Sequence, residues 1–141
     1  MTDSSITDRY YAALNGRDWA AYDELFTADA ALEGPGYLTG SGPADMRAFD
    51  EGFAGCASDF HLSVVTVYAD SNRVAYELRA TGTHDGPFVT PAGEIPASGN
   101  PIDVKGVGVF ELRDGRISAQ RVYFDRLGFV QQLMGDLAAA H

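Results

Sequence analysis

Apolar residues recur at helical spacing over the first part of the chain. Ile6, Tyr10, Ala13 and Leu14 fall on one helix face. Asp3, Ser4 or Ser5 can cap its start, and Asn15-Gly16 closes the run. A second short helix is expected from Asp18, with Trp19, Tyr22, Leu25 and Phe26 on one side. Ala31-Leu32-Glu33 suits a short strand before the Gly34-Pro35-Gly36 turn. A third helix should follow Ser41-Gly42-Pro43, since proline fits a first helical turn. Its apolar stripe is Met46, Phe49 and Phe53.

The period then changes from helix to strand. Phe60 to Ala69 is rich in Val, Leu, Thr and Tyr, and Asp70-Ser71-Asn72-Arg73 makes a turn. Val74, Tyr76, Leu78 and Ala80 alternate with Glu77, Arg79, Thr81 and Thr83. Lys105–Arg113 and Arg116–Asp125 flank Asp114-Gly115, a pair that favours a tight hairpin. Pairing residues whose numbers sum to about 229 sets Glu111 near Ser118 and Val109 near Gln120, from the hairpin geometry. A last helix is expected from Leu127 to Leu137, with Phe129, Val130 and Leu133 inward. Between strands, His84 to Val104 holds four of the six prolines. A loop of that length in a compact domain is usually functional. Helices followed by a strand meander predict an α+β fold, with a curved antiparallel sheet against helices and a pocket between them.

Composition narrows the partners. The chain has 141 residues, which suits one domain, and 45% hydrophobic residues, enough for a packed core. Twenty acidic residues against ten basic ones give a net charge of -10. That balance disfavours nucleic acid, whose phosphates call for a Lys/Arg surface, and anionic membranes. Residues 1–58 carry most of it, -7, and residues 59–141 carry -3. Asp45 and Asp50 are expected to face solvent on the third helix. The one cysteine, Cys56, cannot form an internal disulfide, and a buried structural thiol is the expectation. No signal peptide or membrane-spanning run is evident, so a cytoplasmic location is expected. The three histidines, His61, His84 and His141, lack metal-ligand spacing, so no metal site is expected.

Three stretches together carry a family resemblance. They are Gly82-Thr83-His84-Asp85-Gly86-Pro87-Phe88 with Gly93-Glu94-Ile95-Pro96-Ala97-Ser98-Gly99, then Phe110-Glu111-Leu112-Arg113-Asp114-Gly115-Arg116-Ile117, then Tyr123-Phe124-Asp125-Arg126-Leu127-Gly128-Phe129 running into Gln132-Leu133-Met134-Gly135. In this order and spacing the chain resembles the SnoaL-like polyketide cyclases of the nuclear-transport-factor-2-like superfamily. The resemblance implies a cone-shaped α+β fold around an apolar cavity. It implies a hydrophobic carbonyl substrate, no cofactor, and a homodimer or higher homo-oligomer. It also makes the residue matching Asp125 the acid/base of an intramolecular aldol condensation. The family's cyclases carry an amide and an imidazole where Val109 and Glu111 stand here, and their loop ends Thr-Gly-Arg where this one ends Ser98-Gly99-Asn100.

Candidate chemistry gathers around Asp125. Strict alternation puts Arg121, Tyr123 and Asp125 on one strand face. If that face lines the cavity, burial raises the Asp125 pKa and suits it to proton transfer. Tyr123 would then donate to an enolate oxygen, and Arg121 would orient the substrate. The alternative is that Asp125 caps the last helix. Glu111, His84, Val109 and Phe129 are candidate substrate-binding residues, with His84 at the cavity mouth. Glu111 is also a diagonal ion-pair partner for Arg121. An epoxide hydrolase would need a second carboxylate beside Arg121 and a water held between them. A hydroxylase component is a further possibility. A non-enzymatic carrier would have a cavity with no titratable group inside.

Overall fold

A computed structural model describes residues 5–35, 38–90 and 93–134. The elements run α1 (Ser5–Asn15), α2 (Trp19–Asp23), β1 (Phe26–Gly34), β2 (Leu38–Ser41), α3 (Gly42–Ala54), β3 (His61–Ala69), β4 (Arg73–Thr83), β5 (Phe88–Thr90), β6 (Gly93–Ile95), β7 (Pro101–Arg113), β8 (Arg116–Phe124) and α4 (Arg126–Met134). Six strands form one sheet in the order β2-β1-β8-β7-β4-β3, and β5-β6 form a separate hairpin. The β1–β8 pair is parallel and the other pairs are antiparallel. The helices cover the inner face, and the core between them is aromatic: Tyr10, Tyr22, Tyr76 and Phe110 are all buried.

Local chemistry explains several boundaries. Asp18 caps α2, its Oδ1 accepting from Ala21 N at 3.2 Å. Pro43 occupies the first turn of α3 as expected. Asp114 and Gly115 both hold positive φ, 53° and 77°, as a tight hairpin requires.

Four expectations need correction. The α2 helix stops at Asp23, because Ile117 N donates to Leu25 O at 2.7 Å and Phe26 pairs with Ile117. Sheet pairing therefore takes Phe26 from the helix into β1, and β2 adds an edge strand that no pattern announced. The stretch from His84 to Val104 is not one long loop. It holds the β5-β6 hairpin, and β7 starts at Pro101, opposite Thr83. Asp125 lies beyond the end of β8. Asp3, Ser4, Gly36 and the 135–137 end of the expected last helix lie outside the described residues.

The main correction concerns register. Near the turn, Leu112 pairs with Ile117 and Arg113 with Arg116, which is the expected pairing. An irregularity between Glu111 and Leu112 then shifts it, so Glu111 faces Ala119 and Val109 faces Arg121. One extra residue reverses the faces of everything beyond it. Ile117 points inward, and after the shift the inward residues are Gln120, Val122 and Phe124.

Gly108 lies opposite Tyr76, whose ring folds over it so closely that a Cβ there would overlap the ring. Gly108→Ala is therefore expected to cost about 1–3 kcal/mol through overpacking. Urea unfolding should show a loss that is not additive with Tyr76→Ala.

Candidate functional site

Among the described residues one acidic side chain is buried: Asp50, on α3. Helical spacing puts Met46, Asp50 and Phe53 on a common stripe, and that stripe packs inward. Met46 is fully buried and Asp50 is 6% exposed. A carboxyl in such surroundings needs partners, and two tyrosines supply them. Tyr10, from α1, donates to Asp50 Oδ2 at 2.6 Å, and the Tyr22 hydroxyl, from α2, lies 2.5 Å from the same oxygen. The Tyr22 hydroxyl is also 2.9 Å from the Met46 carbonyl. Gln120, 1% exposed on β8, donates from Nε2 to the Tyr10 oxygen at 3.3 Å. Oδ1 of Asp50 takes no hydrogen bond from a described residue. Asp50 is itself part of the wall of an apolar cavity.

Burial outweighs both tyrosine hydrogen bonds and pushes the Asp50 carboxyl up to about 6. Burial, and then the Asp50 charge, push the Tyr10 and Tyr22 hydroxyls well above the usual phenol range. Burial also raises Tyr76, with the neighbouring Tyr11 and then Asp50 adding to it. The phenols therefore stay neutral donors while the carboxyl titrates near physiological pH.

The space before Asp50 has two parts. An inner cavity of about 50 Å3 is lined by apolar side chains plus Tyr10, Asp50 and Tyr76. An outer groove of about 590 Å3 opens between α3, the β5-β6 hairpin and the start of α4, with Asp45 and Arg126 at its edge. Phe49, Phe53, Phe124 and Phe129 line both, so they form the partition between them. Phe53 is its centre, with ring centroids 5.2 Å from Phe49, 5.7 Å from Phe124 and 5.6 Å from Phe129. Phe88, from the hairpin, adds a ring at 5.7 Å.

The residues singled out from sequence are scattered by comparison. Asp125 is exposed and caps α4: its Oδ1 accepts from Gly128 N at 2.9 Å. It does not face the cavity, because the register shift turned that strand face outward and β8 ends one residue before it. Tyr123 lies on the same outer face, 54% exposed. Arg121 pairs with Glu111 at 2.5 Å, the diagonal contact anticipated above, also on the outer face. That guanidinium holds the Glu111 carboxyl below its usual range. The Arg121-centred water site of an epoxide hydrolase is therefore not assembled inside the cavity. Val109, opposite Arg121, belongs to the outer face as well.

His84 is fully buried but lines neither space. Its Nδ1 is 2.8 Å from Ser98 Oγ and accepts from Ser98 N at 3.3 Å. Its backbone bonds Asn100 and Gly99, so it pins the return of the chain into β7 rather than sitting at the mouth. Phe129 does line both spaces. Cys56 is buried, its Sγ bonded to the Phe53 carbonyl at 3.1 Å and its thiol pushed up to about 11 by burial.

Asp50 was expected at the surface, and that expectation is wrong. The signal was its place four residues after Met46 and three before Phe53. For β8 the signal was Val122 and Phe124, whose apolar alternation marks the inward face better than the polar set does.

Comparison with known proteins follows from this geometry. The model of a family described as the SnoaL-like domain matches residues 7–120. No curated protein gives a significant match. Solved structures share the fold at low identity. A Jannaschia sp. CCS1 protein assigned to the SnoaL-like polyketide cyclases superposes with TM-score 0.81 at 23% identity, over 92% of this chain and 89% of that one. IdmH from Streptomyces antibioticus, assigned as a polyketide cyclase, gives 0.77 at 22%, over 94% and 98%. An epoxide hydrolase of Mycobacterium tuberculosis resembling the limonene enzyme gives 0.70 at 21%, over 96% and 92%. The fold is thus the nuclear-transport-factor-2-like α+β cone, its curved sheet mostly antiparallel as expected, with β1–β8 the parallel pair.

The raised carboxyl makes a stability prediction. A folded pKa near 6 against an ordinary value of 3.8 means the folded state binds the proton more tightly. Stability should therefore fall as pH rises through that window and level off above it. Against Asp50→Asn, the wild type should lose about 2 kcal/mol between pH 4 and pH 7. Urea unfolding of both proteins at each pH isolates this group from the exposed ion pairs.

Proposed function

Because the chain belongs to the SnoaL-like domain family and buries one acid at the end of an apolar cavity, we propose that it is an acid/base enzyme acting without a cofactor on a hydrophobic carbonyl compound. The acid/base is Asp50 rather than Asp125. The observation that carries this is the Asp50 carboxyl itself: buried, hydrogen bonded by Tyr10 and Tyr22, and part of the wall of an apolar cavity.

The chemistry follows the family's cyclases. Above its pKa, the Asp50 carboxylate takes a proton from the carbon beside a carbonyl, and the C–H electrons form an enolate. The Tyr76 hydroxyl, which lines the same cavity and has Gln120 as a side-chain hydrogen-bond partner, donates to the enolate oxygen. The enolate carbon attacks a second carbonyl of the same molecule, making one C–C bond. The resulting alkoxide takes the proton back from Asp50. Isomerisation would use the same steps with the proton returned to a different carbon. A titratable group inside the cavity speaks against a purely passive carrier. Aromatic walls favour an apolar or aromatic substrate.

Two outcomes check this reading. Asp50→Asn should slow proton exchange at the acidic carbon of an aryl-substituted β-keto ester in heavy water by about 10²–10⁴-fold. Asp125→Asn, which keeps a good helix cap, should stay within about threefold of wild type. The wild-type rate should rise with pH through about 6 as the carboxylate forms. Equal rates for Asp50→Asn and wild type would sink the assignment.

We also propose that two copies pair through the outer sheet face. Tyr123, Val107 and Glu77 stand in register across β8, β7 and β4, and Tyr68 of β3 bonds Glu77. Val65, Tyr68, Val107 and Tyr123 are exposed there, giving the face an apolar middle beside the Arg79–Asp103 and Arg121–Glu111 pairs. Sedimentation should give a dimer mass for wild type and a monomer mass for Val107→Glu with Tyr123→Glu.

A further inference from the structure

The Tyr22 hydroxyl stands between two acceptors and owns one proton. It lies 2.5 Å from Asp50 Oδ2 and 2.9 Å from the Met46 carbonyl oxygen. A phenol has a single O–H to give. With Asp50 charged, that proton serves the carboxylate or the carbonyl, and the other contact brings two acceptors together.

With Asp50 neutral and its proton on Oδ2, the count closes. Asp50 donates to Tyr22, and Tyr22 donates to the Met46 carbonyl. Tyr10 donates to Oδ2 at 2.6 Å, and Gln120 donates to Tyr10 at 3.3 Å. Each contact then has one donor and one acceptor, so the protonated state satisfies all four. The charged state needs a different turn of the Tyr22 O–H, toward Oδ2.

We propose that Tyr22 is a positioning residue whose hydroxyl proton turns from the Asp50 carboxylate to the Met46 carbonyl each time Asp50 takes up a proton. This rests on the reading of Asp50 as the acid/base and adds the device that serves it. Both protonation states of the carboxyl are hydrogen bonded, so neither is stranded in the apolar interior. A heavy-atom rearrangement is not required, because only a hydroxyl torsion changes.

The surroundings suit this. Facing Asp50 are Tyr10 and Tyr11 from α1, Tyr22 from α2, Tyr76 from β4 and, through Tyr10, Gln120 from β8. Asp23 acts on Tyr22 from the same helix. Among the described residues no cation acts on the carboxyl, so its balance is set by burial and by these hydroxyls.

The test is a carbon-13 titration of the whole protein, following the Asp50 side-chain carboxyl and the Met46 backbone carbonyl from pH 4 to pH 9. In wild type both signals should move with one shared midpoint. In Tyr22→Phe the Asp50 midpoint should rise by about one unit, because the anion loses a charge-assisted donor. The Met46 carbonyl should then no longer titrate. A purely structural Tyr22 would leave Met46 flat in wild type, and that result overturns the proposal. So does an unchanged Asp50 midpoint in Tyr22→Phe. If that variant does not fold, the wild-type Met46 signal decides alone. Failure of the catalytic reading looks different: Asp50→Asn would retain activity while the wild type still showed the coupled titration.

Discussion

A carboxyl among aromatic rings is tolerable only if hydrogen bonds replace the water it has lost. Asp50 imposes that condition on this fold. Its two donors come from different helices, Tyr10 from α1 and Tyr22 from α2, while the acid sits on α3. The three helices must therefore converge on one point, in front of the strands that carry Tyr76 and Gln120. The aromatic packing follows the same centre: the Tyr10 ring lies 5.8 Å from Tyr22 and 5.2 Å from Phe110. The polar contact and the apolar core thus fix the same geometry. A cavity lined almost wholly by apolar side chains thus has a carboxyl in its wall.

The sheet separates two roles by face. Its inner face contributes Tyr76, Val122 and Phe124 to the cavity. Its outer face carries ion pairs such as Arg121–Glu111 beside exposed Val107 and Tyr123. One irregularity between Glu111 and Leu112 decides which residues go where. A polar trio that looked like an active site on strict alternation becomes part of an outer surface. The charge of the chain follows the same division. Carboxylates such as Asp29 and Asp103 are exposed and held low by arginines, whereas Asp50 is held high by burial.

Much of the fold could be read from the residues. The stripe Ile6, Tyr10, Leu14 marks α1, Pro43 marks the start of α3, and Asp114-Gly115 marks the last hairpin. Each is a local preference that the packing leaves in place. Phe26 could not be read, because its helical spacing lost to pairing with Ile117 across 91 positions of chain. Register in β8 could not be read either, since a bulge is a property of two strands at once. The candidate site depends on the same long-range terms. Strict alternation assigns Asp125 to a strand face that the bulge turns outward. Charge alone sends Asp50 to solvent, whereas its helical position between Met46 and Phe53 places it inside. Family likeness supplies the α+β cone.

The four-phenylalanine partition sets a condition on geometry of entry. The chamber holding Asp50 has a volume of about 50 Å3, room for a few water molecules. A fused ring system cannot occupy it, whereas the groove outside, at about 590 Å3, is of ligand size. A molecule that reaches the carboxyl therefore arrives end first, threading a slender terminus between aromatic edges while its bulk waits outside. If Asp50 is the base, depth of entry selects the carbon it meets: the one nearest the inserted tip comes within reach, and those farther along the molecule are held away.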